Sequence, residues 1–181
     1  MNDFLKLYNL EAYLLNEVHY KYHKKGKISA FDFFCIIIWK ANRAKSKIAH
    51  KLLKKDSGSS DLNIIVEKLT SSIFNACDHK ERMRLLLIEW DFNLPMASAI
   101  LTIFYPDYFS IYDFRVCSTI GYECRTNKNH FDDFWQQYNT FLEKVKNAAP
   151  RKLTLRNKDR FLWGRSFSDD LIKNIDNLFS K

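Results

Sequence analysis

Glycine and proline are scarce, four and three among 181 residues. So little turn-forming material does not suit the many hairpins of a sandwich or barrel, and it favours an all-helical chain. The same scarcity leaves no glycine-rich phosphate loop, dinucleotide fingerprint or strained nucleophile turn. Long apolar stretches are also missing. The longest, Phe33 to Trp39, is seven residues, where a membrane helix needs about 20. The first residues carry Asp3 and Glu11 and show no basic region followed by an apolar block. The expectation is a cytoplasmic protein with no secretion signal and no membrane partner. The four cysteines, Cys35, Cys77, Cys117 and Cys124, lack the paired short spacing of a zinc site and read as reduced thiols.

What is present suits a packed core. Apolar residues make up 46% of the chain and aromatic ones 15%, too many for disorder, and the length suits one domain over residues 1–181. A net charge of +8 favours a polyanionic partner, nucleic acid before an anionic membrane surface. A solvated lysine-rich face is the plainer alternative.

Apolar spacing predicts helices over residues 3–23, closed by Gly26, and from an N-cap at Ser29 to about Leu53, with Asp32 completing an imperfect capping box. Asp56-Ser57-Gly58-Ser59-Ser60 is a loop. Further helices begin at Asp61 and Asp78, run from Leu94 to Phe104, follow Asp113 over 114–121, and extend from Asp132 or Asp133 to Ala149. The tail suggests two short helices, 156–163 and 168–179.

Three basic clusters could neutralise phosphates without reading sequence. In the first, Arg43, Lys47, Lys51 and Lys54 fall on one face of an expected continuous helix. The second is Lys80, Arg82 and Arg84. The third is Arg151, Lys152, Arg156, Lys158, Arg160 and Arg165. His19 and His23, four apart, could share a metal, but no further ligand lies nearby in sequence, and solvated or stacked imidazoles are the competing reading.

The segment Trp90-Asp91-Phe92-Asn93-Leu94-Pro95-Met96-Ala97-Ser98-Ala99-Ile100 reads as a tight turn between two helices, the second lined with small residues that permit close packing. Ile111-Tyr112-Asp113-Phe114-Arg115-Val116 then places one carboxylate at a helix start. Together these resemble the helix-hairpin-helix DNA glycosylase superfamily, whose hairpin carries Leu-x-Gly-Val-Gly. The core of the resemblance spans about 79–122, and thinner similarity, in Trp39 to Lys45 and Leu155 to Trp163, extends to an uncharacterised prokaryotic branch of that fold.

That resemblance implies duplex DNA as partner, with Asn93, Leu94 and Met96 at the phosphate site and Arg43, Lys47, Lys51, Arg82 and Arg84 flanking it. The family's two glycines fall at Asp91 and Asn93. Asn93 is the milder departure, since asparagine tolerates a left-handed backbone, whereas Asp91 sets an anion beside a phosphate site unless a cation bridges the two. A hairpin-bound monovalent cation is left open, and no other cofactor is expected. The iron–sulfur branch is excluded, since only Cys124 lies beyond the expected catalytic helix. From Asn93 to Asp113 is 20 residues, the family's interval to its catalytic aspartate, so Asp113 would stabilise an oxocarbenium-like sugar and orient water. Pro95 stands where the lyase branch has its lysine, which implies a monofunctional enzyme. An N-cap explains Asp113 equally well. A non-catalytic nucleic-acid binder or a protein-interaction module on the same fold remains the alternative.

Overall fold

A helix begins where a short polar side chain can satisfy its first unpaired amides. Ser29, Asp61, Asp78, Asn93, Asp113 and Thr154 all do this, each accepting from a backbone N–H two or three residues on. In the computed structural model, which describes residues 4–56, 58–124 and 130–179, the architecture is all-α, with no strand among the described residues. The chain divides into two compact units, between Tyr105 and Pro106.

The first unit contains α1 (Leu5–Tyr8), α2 (Leu10–Tyr13), a π turn (Leu14–Val18), α3 (His19–Lys25), α4 (Ala30–Ala41), a 3-10 turn (Asn42–Ala44) and α5 (Lys45–Lys55). It continues with α6 (Leu62–Asn75), α7 (His79–Arg84), a second π turn (Leu85–Glu89) and α8 (Leu94–Phe104). Every residue of α8 but Pro95 is buried. A helix apolar on all sides must be enclosed by others, and α3, α4, α7 and both π turns pack against this one. Ala97 and Ala99 present no bulk there, and the Ser98 and Thr102 hydroxyls donate to the carbonyls of Pro95 and Ser98 within the helix. No polar atom of these two side chains therefore enters the core unsatisfied.

The stretch expected as one helix over 3–23 is interrupted at Asn9 (φ −97°, ψ 76°) and passes through the first π turn. Gly26 does close it, with φ 69°, and a Cβ there would sit 3.1 Å from the Phe74 ring. The helix expected from Ser29 to Leu53 is two, because the chain turns at Ala41 (φ −161°, ψ 82°). Asp32 does not complete a capping box with its side chain. Its buried carboxylate instead accepts from the Tyr13 hydroxyl at 2.5 Å and the Lys21 ammonium at 3.1 Å.

The second unit holds α9 (Phe114–Thr119), α10 (Phe131–Ala148) and α11 (Leu155–Asp176), with α11 against both α9 and α10. Phe109, Val116, Phe134, Tyr138, Phe141 and Leu162 form its core. The tail is one 22-residue helix rather than two. Gly164 is half-buried within it, and a stacked pair, Trp163 with Phe167, spans its position at helical spacing. No helix among the described residues is long and apolar enough to cross a membrane.

Candidate nucleic-acid interface

The turn after Leu85–Glu89 is closed by Asp91 in the left-handed region, φ 52°. This lets the Phe92 N–H return to the Leu86 carbonyl at 2.8 Å, a widened form of the left-handed helix ending. The backbone demand for glycine thus falls at Asp91. Asn93 is extended (φ −77°, ψ 160°) and serves as N-cap of α8, so of the two positions where the family has glycine only Asp91 is left-handed.

The cap has a chemical consequence. An anion at a helix N-terminus is held by the first backbone N–H groups. Pro95 has none, and the Met96 N–H is taken by Asn93 Oδ1 at 3.0 Å. The Leu94 and Met96 side chains are buried. Of the three residues expected at a phosphate, only Asn93 is exposed, and its carbonyl side is occupied by the cap. The turn is therefore built mainly to join two helices.

Lys51 reaches the same turn from α5. Its ammonium pairs with the Asp91 carboxylate at 2.6 Å and also donates to the Asp91 carbonyl. A cation does face the misplaced anion, and the protein itself supplies it. Around Lys51, residues 33–55 contain seven lysines and arginines and no carboxylate. Lys47, Lys51 and Lys54 share a face of α5, but Arg43 lies in the 3-10 turn before it, so the four do not form one continuous helical face. Arg43, Lys45, Lys47, Lys54 and Lys55 are exposed.

The second basic cluster is committed internally. Arg82 donates to the carbonyls of Ile73 and Ala76, the end of α6, and lies 4.5 Å over the Tyr105 ring. Arg84 grips Glu81 through two bonds of 2.7 Å and Glu89 at 2.6 Å. These carboxylates push the Arg84 pKa still higher and offset its charge. The His19 and His23 rings lie 4.5 Å apart with their planes tilted by 57°, and each spends a ring nitrogen on a carbonyl at the end of α8, Ile103 or Phe104. Among the described residues no group of three metal ligands includes them, and the imidazoles cap a helix C-terminus.

In the second unit, the loop leading to Asp113 is braced from two directions. The Tyr138 hydroxyl donates to the Ser110 carbonyl at 2.8 Å and accepts from its N–H at 3.2 Å. The Ile111 N–H points at the Asp159 carboxylate, 3.5 Å away, which also holds Arg156. Complete burial pushes the Tyr138 pKa far above its ordinary value, so this hydroxyl stays protonated. The sequence placed Arg156 among surface cations, yet its side chain is only 11% exposed and paired with a carboxylate that is 3% exposed. Tyr138 and Asp159 went unrecognised as supports. Their i and i+3 neighbours mark a helix face, and nothing in the chain marks the loop they hold.

Asp113 is half-buried, and its Oδ1 accepts from the Arg115 N–H at 3.0 Å as N-cap of α9. Of the aromatic residues near it in sequence, Phe109 and Tyr112 are core, while Tyr108 is exposed. A cleft of about 450 Å³ beside α10 is lined by Tyr122, Glu123, Asp133, Gln136, Gln137 and Thr140, without Asp113. Compared with family models, with characterised proteins and with solved structures, the chain matches none.

Proposed function

We propose that this protein binds duplex DNA through its phosphate backbone, on a fold related to the helix-hairpin-helix glycosylases. The observation that carries the reading is α5 with the 3-10 turn before it. Five exposed cations, Arg43, Lys45, Lys47, Lys54 and Lys55, stand in a stretch free of carboxylates. Such a surface favours a polyanion and releases counterions when it binds one. The capped, proline-bearing hairpin argues that α5, rather than the turn, supplies most of the affinity. The test is fluorescence anisotropy with an undamaged duplex across a salt series. Lys47→Ala, Lys54→Ala and Lys55→Ala together should weaken binding and reduce the salt slope by roughly 2–3. An unchanged slope would remove this surface from the interface.

A second reading, monofunctional base excision, draws support from the interval between Asn93 and Asp113 and from the bracing behind Asp113. A duplex carrying a cationic azasugar should then bind more tightly than its undamaged counterpart, and Asp113→Asn should abolish the difference. Equal binding of the two duplexes by the unmodified protein would leave a non-catalytic binder.

A further inference from the structure

The first half of α11 carries Arg156, Lys158, Arg160 and Arg165, and its one carboxylate is the buried, paired Asp159. Among these cations stand aromatic rings that the core does not use. Trp163 and Phe167, one turn apart, hold their rings parallel to within 5° with centroids 5.6 Å apart. Rings in full face contact would lie about 3.5–4 Å apart, so these are displaced sideways into a stepped surface, and each is nearly half exposed. Phe114, at the start of α9, is 69% exposed. The Arg115 guanidinium ties the group together, 5.3 Å from the Phe114 centroid, 5.7 Å from Trp163 and 6.0 Å from Phe167. Asp170 fixes it at 2.5 Å.

We propose that this surface is a stacking platform for the unpaired bases of a single-stranded nucleic acid, with the exposed Arg160 beside it for a phosphate and the exposed Arg165 exchanging its Asp169 partner for another. Every base has a π face, so parallel rings and a guanidinium plane accept bases without regard to sequence, and neighbouring cations track the strand. Bases inside a duplex have their faces covered by their neighbours and cannot use such a platform. A protein partner fits less well. Closing an apolar surface over the Arg115–Asp170 pair would strip water from both charges, whereas a base can lie on the guanidinium plane. The inference rests on a nucleic-acid ligand, as in the proposed function, but assigns a different strand state to a different surface.

The test compares a short fluorescein-labelled oligothymidylate with a duplex by anisotropy, using the unmodified chain, Trp163→Phe, and Trp163→Ala combined with Phe167→Ala. The double variant should lose single-strand affinity by about tenfold or more, the scale of one lost base–ring stack. Trp163→Phe should keep most of that affinity, and duplex binding should not change. Single-strand binding untouched by the double substitution overturns the proposal, as does an equal loss on both ligands. Duplex binding without single-strand binding overturns this inference alone, and binding of neither removes the proposed function as well. Sedimentation velocity adds one further outcome: a dimer that the double substitution dissolves would assign the face to a second copy and overturn the platform.

Discussion

Lys51 is the counter-ion of Asp91, and the two meet where the hairpin backbone is left-handed. A non-glycine residue at that φ carries a conformational cost of about 1 kcal/mol. The partly exposed ion pair returns only a fraction of it, since such pairs contribute well under about 1 kcal/mol. Asp91→Gly keeps the Lys51 bond to the residue 91 carbonyl and removes both strain and anion. The variant should be more stable by about 0.5 kcal/mol in urea denaturation. Freed from its carboxylate, Lys51 should also tighten duplex binding several-fold at low salt. A less stable Asp91→Gly protein would mean that the ion pair outweighs the strain.

Gly26 makes the opposite case, a left-handed position at which the chain does use glycine. Gly26→Ala would strain φ 69° and bring its Cβ to 3.1 Å from Phe74. The flexible ring can give by a few tenths of an ångström, so the backbone term should dominate, at about 1–2 kcal/mol. A urea midpoint equal to that of the unmodified chain would contradict the left-handed geometry at the end of α3.

Much of the helical plan was legible where local chemistry sets it. Ser29, Asp61 and Asp78 cap as their positions suggest, and α8 runs from Leu94 to Phe104 because a cap precedes it and Tyr105-Pro106 follows. The break at Ala41 was illegible. Positions 37, 41, 44, 48 and 52 keep helical spacing through it, but two of them are alanines too small to anchor a straight helix against the core. The tail runs as one helix because side-chain pairs at helical spacing, Trp163 with Phe167 and Arg165 with Asp169, bridge the gap expected between 163 and 168. The basic clusters misled for a related reason. Sequence shows charge but not whether a carbonyl or carboxylate has already claimed it, as happens to Arg82, Arg84 and Arg156.

The acid side of the stability profile should depend on His79. Arg82 can only donate, so in their 3.2 Å contact the imidazole Nδ1 accepts and must be unprotonated. Burial first, and then the Arg82 charge, push this histidine below its usual value near 6.5. The unfolded chain therefore binds the proton first. Stability from this site is full above about pH 6.5 and is lost as pH falls below that toward the lowered folded value. His79→Gln offers an uncharged acceptor and should flatten the urea midpoint between about pH 7 and pH 5.5. A decline equally steep in the variant would assign the dependence to other groups.

The bracing of the Asp113 loop depends on one hydroxyl that serves both backbone groups of Ser110. Tyr138→Phe keeps the ring packed against Phe109 and Phe141 but leaves a buried N–H and a buried C=O without their partner. Such a loss costs about 1–3 kcal/mol. Hydrogen exchange should accelerate most at Ser110 and Ile111, since Ser110 loses its partner and the Asp159 contact to Ile111 is long, 3.5 Å. Ser110→Ala is the matched control. The Ser110 Oγ is buried with no partner among the described residues, so removing it should be neutral or stabilising while the Tyr138 bonds to the backbone persist. A Tyr138→Phe protein with unchanged stability and exchange would show that core packing, not this hydroxyl, positions the carboxylate of Asp113. If the loop does loosen and Asp113 acts in excision, discrimination in favour of the azasugar duplex should fall together with exchange protection.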